Sequence, residues 1–203
     1  KVLDAEQIPY ESVIIHPGSH AGYYPGATTI TLKLLFSPTD GKILGAQAAG
    51  VEGVDRCIDV ISAYISKQGT IYDLTSYEHC YAPPFASAKD AVNMAGFVAE
   101  NVLTGKVKTM NWDQVTSLGH ALFLLDVRTV EECRRGMVGG AVNIPLDDLR
   151  ARLGEVPQGR KIAVYCGVGI RSYAAVRILM QKGYGEVYNL SGGFMTYSSL
   201  QDQ

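Results

Sequence analysis

Residues 161–172 read KIAVYCGVGIRS and hold the chain's best candidate for covalent chemistry. Ile162, Ala163, Val164 and Tyr165 make a short apolar run that reads as a strand. Cys166 follows at its C-terminal end, then Gly167, Val168, Gly169 and Ile170 as a loop, then Arg171 and Ser172 opening a helix. A thiol at a strand end, facing a helix N-terminus, meets converging backbone N–H groups and the positive end of the helix dipole. Both favour a thiolate and an anion beside it. The glycines at 167 and 169 let the loop curl so that its amides point inward. The pattern fits a nucleophilic Cys166 in a sulfur- or anion-binding loop of Gly167, Val168, Gly169, Ile170 and Ser172. The same residues also fit an inert cysteine closing a core strand. The Cys, both glycines and the Arg fall together in one strand-to-helix turn, which favours the nucleophile. Arg171 suits two roles equally well: a cation for the substrate, or a strut tying the loop to Asp126 or to a backbone carbonyl.

The other thiols and the histidines suggest less. Cys57 lies on an amphipathic helix and reads as packing. Cys133 lies among charges on a helix and reads as a surface thiol. Cys80 precedes Tyr81 in a loop and is a weaker candidate for relaying sulfur. No CxxC pair or metal-ligand spacing joins the four cysteines, which read as thiols of a reducing, cytoplasmic compartment. His16, His20, His79 and His120 are scattered and suggest neither a metal site nor a base for Cys166. The dipoles of the loop and helix, not a histidine, would have to activate the thiol.

The chain that must position Cys166 has 203 residues, 47% of them hydrophobic, enough for one large or two small domains. A net charge of -2 without a basic run gives no footing for nucleic acid or an acidic membrane surface. No apolar stretch is long enough to span a bilayer, and no signal peptide opens the chain. A helix tail over residues 1–8 runs into Pro9. Strands are expected over 12–15, 28–36 and 43–49, with SPTDGK as the turn between the last two. In the clearest of them, Ile30, Leu32, Leu34 and Phe36 share one face. An amphipathic helix follows over 53–68, a short extended piece over 71–74, a two-proline loop over 79–85, and a long helix over 86–103 that is broken near its start.

A boundary falls at residues 104–109, after which short strands and helices alternate. Strands are expected over 121–125, 141–143, 162–165 and 186–190, and helices over 112–118, 130–135, 147–153 and 171–182, with a last helix opened by Ser191-Gly192-Gly193. Such alternation argues for a parallel sheet covered on both faces, whose site lies at the C-terminal strand ends. The fold class expected is therefore α/β and α+β in two domains, residues 1–104 and 110–203.

The second domain resembles the rhodanese family. LDVR at 125–128, RGMVGGAVNIP at 135–145, VYCGVGIRS at 164–172 and VYNLSGG at 187–193 carry the resemblance, in the family's order. It implies a small α/β/α domain whose cysteine takes a sulfane sulfur as a persulfide. Cysteine phosphatases of similar fold have one more residue between Cys and Arg. Here Cys166 and Arg171 enclose four residues, the sulfur-transfer spacing, so a phosphate monoester should fit poorly. Met137 stands where the family often has His, at a position read as structural. With Arg171 as its one charge, the loop should select by backbone amides rather than by a cationic pocket.

The first domain resembles the dimerisation domain of flavin-dependent pyridine nucleotide-disulfide reductases, most closely the coenzyme A-disulfide reductases and their fused relatives. HAGYYPGA at 20–27, GAQ at 45–47, GVDRCIDVI at 53–61 and YAPPFASAKDAVNMAG at 81–96 carry it. It implies two antiparallel strands plus helices at the interface of an obligate homodimer formed through residues 1–104. It also implies two tyrosines facing the partner's active-site sulfur, and Tyr23 and Tyr81 match those positions, with Tyr24 adjacent. A phenol there can donate a hydrogen bond to a sulfur leaving group. The same tyrosines would also fit simple interface packing.

No GxGxxG follows a strand, so no nucleotide fold is encoded here and the chain should hold no cofactor or metal of its own. FAD, NAD(P)H and coenzyme A are implied only for a complete enzyme with upstream flavin and nucleotide domains. The family's first strand of this domain lies before Lys1, which would leave a sheet edge unpaired. The resemblances thus imply the C-terminal part of a coenzyme A-disulfide, coenzyme A-persulfide or polysulfide reductase. Its partners would be a sulfane-sulfur donor and a thiol acceptor. Two other readings fit the same residues: a stand-alone thiosulfate or persulfide sulfurtransferase, and a non-catalytic rhodanese-like interaction module.

Overall fold

The computed structural model describes residues 2–201; Lys1, where the expected helix tail begins, and the His120 side chain lie outside the described residues. The chain divides into two compact units, Lys1–Thr104 and Gly105–Gln203.

The first unit opens with the single turn α1 (Val2–Ala5) and builds an antiparallel sheet in the order β1 (Glu11–Ile15), β2 (Thr31–Phe36), β3 (Ile43–Ala49). The sheet has three strands rather than two, because β1 pairs along its whole length with β2. Period-2 alternation drives β2: Leu32, Leu34 and Phe36 are buried, while Thr31, Lys33 and Leu35 are only partly so. The helices α2 (Val54–Ser66), α3 (Ile71–Thr75) and α4 (Ala91–Leu103) complete the unit. Cys57 and Ile61 of α2, Ile71 and Leu74 of α3, and Val92, Ala95 and Ala99 of α4 join the sheet in one core.

Two expectations fail in this unit. Residues 71–74 are helical, not extended. Thr70 N–H donates to Asp73 Oδ2 at 2.6 Å, closing a capping box over a helix too short to show periodicity. The long helix also starts later than residue 86. Asp90 is its N-cap, accepting Val92 N–H at 2.7 Å, and residues 86–89 are loop.

The second unit is a five-stranded, wholly parallel sheet in the order β4 (Lys108–Met110), β8 (Val187–Leu190), β7 (Lys161–Tyr165), β5 (Leu122–Asp126), β6 (Val142–Asn143). Its helices are α5 (Trp112–Leu118), α6 (Val130–Arg134), α7 (Ile170–Gln181) and α8 (Gly193–Gln201). β7 is central, and its alternation serves both faces. Ala163 and Tyr165 join Met110, Trp112, Leu122 and Leu190 in one cluster. Ile162 and Val164 are buried on the opposite side.

Two expectations fail here as well. Residues 108–110, read as part of the boundary, form an edge strand whose partner is Tyr188–Leu190. Residues 147–151 are turns, followed by a 3-10 helix at Leu153–Glu155, in place of the helix expected over 147–153.

Among the described residues, no helix is long and apolar enough to cross a membrane, and no cluster of His, Cys, Asp and Glu could hold a metal ion.

Candidate functional site

Cys166 is the first residue after β7, and its side chain is 1% exposed. The Gly169 N–H donates to its sulfur at 3.2 Å, and Ser172 Oγ lies 3.5 Å from it. The Ser172 hydroxyl also reaches the Gly169 carbonyl at 3.1 Å, so one proton serves two acceptors. Ser172 is fully buried on the first turn of α7 and points its hydroxyl at the thiol. The loop therefore supplies an amide and a hydroxyl to charge on sulfur, at the N-terminus of a 12-residue helix.

Of the two loop glycines, only Gly169 needs its conformational freedom. It is the N-cap of α7 at φ 112, in a region closed to most side chains. Gly167 has no positive φ, and a Cβ there would meet only Arg171 Nη2 at 3.6 Å. The far wall of the loop comes from the other end of the motif series. Phe194 N–H donates to the Cys166 carbonyl at 2.7 Å, and Met195 N–H to the Gly167 carbonyl at 3.0 Å. Free N–H groups at the start of α8 thus hold the loop backbone in place.

Arg171 turns out to be tied to Glu132, not to Asp126 or a carbonyl. Its Nη1 and Nη2 donate to Glu132 Oε2 and Oε1, each at 2.6 Å. The hydrogen bonds from Arg171 hold the Glu132 carboxyl down at about 2, and the same contact raises Arg171 above its ordinary value. Sequence reasoning missed Glu132. Its local signal is the capping box of α6, in which Thr129 N–H donates to Glu132 Oε2 at 2.9 Å.

Asp126 is engaged elsewhere. It is fully buried and forked onto Arg128, with Nη2 to Oδ2 at 2.7 Å. The Arg128 guanidinium lies 3.9 Å from the Phe194 ring centroid and donates to the Gly136 carbonyl at 2.8 Å. A buried ion pair within LDVR therefore braces the strand end and reaches the RGMVGG segment through the Gly136 carbonyl. Cys133 is half-buried rather than a surface thiol. It donates to Asp126 Oδ2 at 3.3 Å, and burial, then Asp126, push it up to about 11. Met137 is exposed.

In the first unit, residues 58 apart in sequence come together. The Tyr23 and Tyr81 hydroxyls are 2.6 Å apart, and both rings are exposed. Tyr24 packs edge-on against His20 instead, which separates its role from that of Tyr23. The hydrogen bond to Tyr81 raises Tyr23 above the usual phenol value. Cys80 is exposed beside this pair in sequence, whereas Cys57 is buried and pushed up to about 11, by burial first. His16 meets Thr31 of β2, His20 the Ala21 carbonyl and His79 the Ser87 carbonyl.

The two matches with known families fall one in each unit of the structure. Residues 3–92 match the pyridine nucleotide-disulphide oxidoreductase dimerisation domain, and residues 106–200 match the rhodanese-like domain. The chain joins these two domains. The coenzyme A disulfide reductase of Staphylococcus haemolyticus is 41% identical over 102 residues, 50% of this chain and 23% of that protein. The corresponding enzyme of Staphylococcus aureus is 40% identical over 100 residues. Both domains together match the reduced CoADR-RHD of Bacillus anthracis, with a TM-score of 0.92, 46% identity, and coverage of 99% of this chain and 36% of that one. A NAD-dependent persulfide reductase from A. fulgidus matches with a TM-score of 0.84 and 35% identity, over 95% of this chain and 35% of that one. The chain thus spans about a quarter of the length of the curated relatives and about a third of these structures. Its relatives are reductases of coenzyme A disulfides and of persulfides, and its rhodanese-like domain contains Cys166.

Proposed function

We propose that this chain is the dimerising and sulfur-accepting part of a coenzyme A-disulfide, coenzyme A-persulfide or polysulfide reductase. The observation that carries the proposal is Cys166 at the end of the central strand, with the Gly169 N–H and Ser172 hydroxyl on its sulfur. The Cys166 thiolate attacks the outer sulfur of a polysulfide or persulfide. A bond forms between the two sulfurs, the donor's S–S bond breaks, and its electron pair departs on the donor thiolate. The product is Cys166–S–SH, and the loop's donors face the charge that moves between sulfurs. A second thiol then removes the outer sulfur, which is sulfurtransferase activity.

FAD and NAD(P)H would supply the electrons that reduce sulfur in the complete enzyme. The residues here do not fit either group, since no glycine-rich nucleotide cradle occurs among them. In a homodimer formed through residues 1–104, the Tyr23–Tyr81 pair would donate a hydrogen bond to a coenzyme A sulfur as it leaves. Two phenols 2.6 Å apart share one proton, which leaves the other free to donate outward.

The test is intact-mass spectrometry of the chain after brief incubation with polysulfide, beside Cys166→Ser. One added sulfur that disappears in the variant is the expected result. No addition, or equal addition to the variant, would remove Cys166 as the acceptor and leave a rhodanese-like docking module.

A further inference from the structure

Arg171 is the one permanently charged side chain between Cys166 and Ser172. Its guanidinium stands at the loop, with Nη2 3.6 Å from where a side chain on Gly167 would begin. Both of its terminal nitrogens are engaged by Glu132, at 2.6 Å each. Glu132 is itself held from behind. Thr129 N–H donates to Oε2 at 2.9 Å, and Glu132 N–H donates to Thr129 Oγ at 3.3 Å. The acid is therefore fixed before any ligand arrives. The remaining side chains of the loop, Val168 and Ile170, are apolar, and Ile170 is 69% exposed. The nearest arginine in sequence on the α6 side that faces inward, Arg128, is forked onto Asp126. The loop thus presents apolar side chains, a backbone amide, a hydroxyl, and a cation already matched by a carboxylate.

We propose that Glu132 is a specificity-determining residue of this loop: by neutralising Arg171 it selects organic persulfides over thiosulfate as sulfur donors. The inference rests on the reading of Cys166 as the sulfur acceptor. With an organic persulfide, Cys166–S⁻ attacks the outer sulfur of R–S–SH. The donor S–S bond breaks, R–S⁻ leaves with its electron pair, and the proton stays on the transferred sulfur. The donor enters neutral, and the one negative charge, first on Cys166, departs on R–S⁻. With thiosulfate, the same attack expels sulfite, so a dianion must approach the thiolate and a dianion must leave. A free guanidinium would offset that charge, but one bonded to a carboxylate on both arms offsets far less. The exposed Ile170 also suits the carbon chain of an organic donor better than a fully hydrated anion.

The test compares sulfur gain on Cys166, by time-resolved intact mass, from 2-hydroxyethyl persulfide and from thiosulfate. The full chain is measured beside Glu132→Gln and Glu132→Asp. Glutamine still serves at this position of a capping box, so Glu132→Gln removes the charge while keeping the turn. The native chain is expected to load faster from the persulfide. Glu132→Gln should raise the ratio of thiosulfate to persulfide rates by about tenfold, the scale of one charge contact. Glu132→Asp should keep the native ratio even where both rates fall, because the carboxylate remains beside the loop. A parallel loss with both donors and an unchanged ratio in Glu132→Gln would make Glu132 only a support and overturn the inference. A native preference for thiosulfate would also overturn it. Failure of both donors to load the native chain would sink the sulfur-acceptor reading itself, and this inference with it.

Discussion

A thiol's reactivity depends on how easily its sulfur carries charge, and the four cysteines differ in what surrounds that sulfur. Cys166 has donors on it: an amide at 3.2 Å and a hydroxyl at 3.5 Å. Cys57 has an apolar core around it, and Cys133 has the Asp126 carboxylate beside it. Both are pushed up to about 11, in each case chiefly by burial. A raised thiol pKa keeps the neutral form dominant until the pH approaches it, so at pH 8 only about a thousandth of either would be thiolate. Since the thiolate is the nucleophile, polysulfide at pH 8 should leave Cys57 and Cys133 unmodified. Half-buried Cys133 should begin to react as the pH is raised toward 11, while core-buried Cys57 should stay protected. Peptide mapping after alkylation at pH 8 and pH 10.5 checks this. Sulfur on Cys133 at pH 8 would show that the contact with Asp126 does not restrain it. Glu132 runs the other way. Its carboxyl is held down at about 2 by Arg171, so it contributes stability above the ordinary carboxylate range, lost as pH falls through about 2. Donor preference set by its charge should therefore be constant between pH 5 and pH 8.

At the scale of elements, the Cys166 loop is held between two helix N-termini. The first turn of α7 faces the sulfur, and the first amides of α8 hold the loop carbonyls. That arrangement fixes Gly193. It sits at φ 57, and a Cβ there would lie 2.5 Å from the Cys166 carbonyl oxygen and 2.9 Å from that of Gly167. Both obstacles are backbone, so neither can swing aside. Gly193→Ala should destabilise the second unit by roughly 1–3 kcal/mol and slow sulfur loading. Gly167→Ala, with only a flexible guanidinium 3.6 Å away, should be mild. Trp112 reports the difference directly, since its indole N–H donates to the Gly193 carbonyl at 3.0 Å and it is the chain's one tryptophan. A lower denaturation midpoint by Trp fluorescence is expected for Gly193→Ala alone; equal midpoints would show that α8 yields. The elements legible in the sequence are those that repeat or cluster locally. The alternation of Leu32, Leu34 and Phe36, and the Cys-to-Arg spacing, are visible within a few residues. What it hid depends on partners far along the chain. β4 is three residues that become a strand only against Tyr188–Leu190. The partner of Arg171, Glu132, lies 39 residues earlier, while Asp126, the acid expected for it, is engaged by Arg128 and Cys133. Five residues cannot show a helical period, which hides α3, although Thr70 and Asp73 spell its cap.

At the scale of the whole molecule, the first unit exposes aromatic surface that a monomer has little reason to present. Phe85 is 70% exposed and Tyr23 75%, with Tyr81 and Tyr24 also open to solvent. These residues are not scattered. Ala21 N–H donates to the Ala86 carbonyl at 3.1 Å, and the Tyr23 and Tyr81 hydroxyls meet at 2.6 Å, so residues 20–24 and 81–86 form one surface. Arg56 fixes it further by donating to the Phe85 carbonyl at 2.5 Å. Contiguous exposed apolar area of this kind marks an interface, and the segment that carries it matches a dimerisation domain. A second copy of the chain is the occupant that fits. Sedimentation equilibrium should therefore find a dimer. Phe85→Asp places a charge in the patch without altering the Arg56 contact, which is to backbone, and should weaken association at least about tenfold. Trp112 lies in the other unit and cannot report on this one, so far-UV circular dichroism, which includes α2 and α4 of the first unit, separates loss of association from loss of fold. A monomeric variant with unchanged helical circular dichroism is the expected outcome. A native chain that sediments as a monomer at all concentrations would mean that residues 20–24 and 81–86 serve a different partner. A variant that stays fully dimeric would move the interface elsewhere on the first unit, and the Tyr23–Tyr81 pair would lose its reason to face a neighbouring subunit's sulfur.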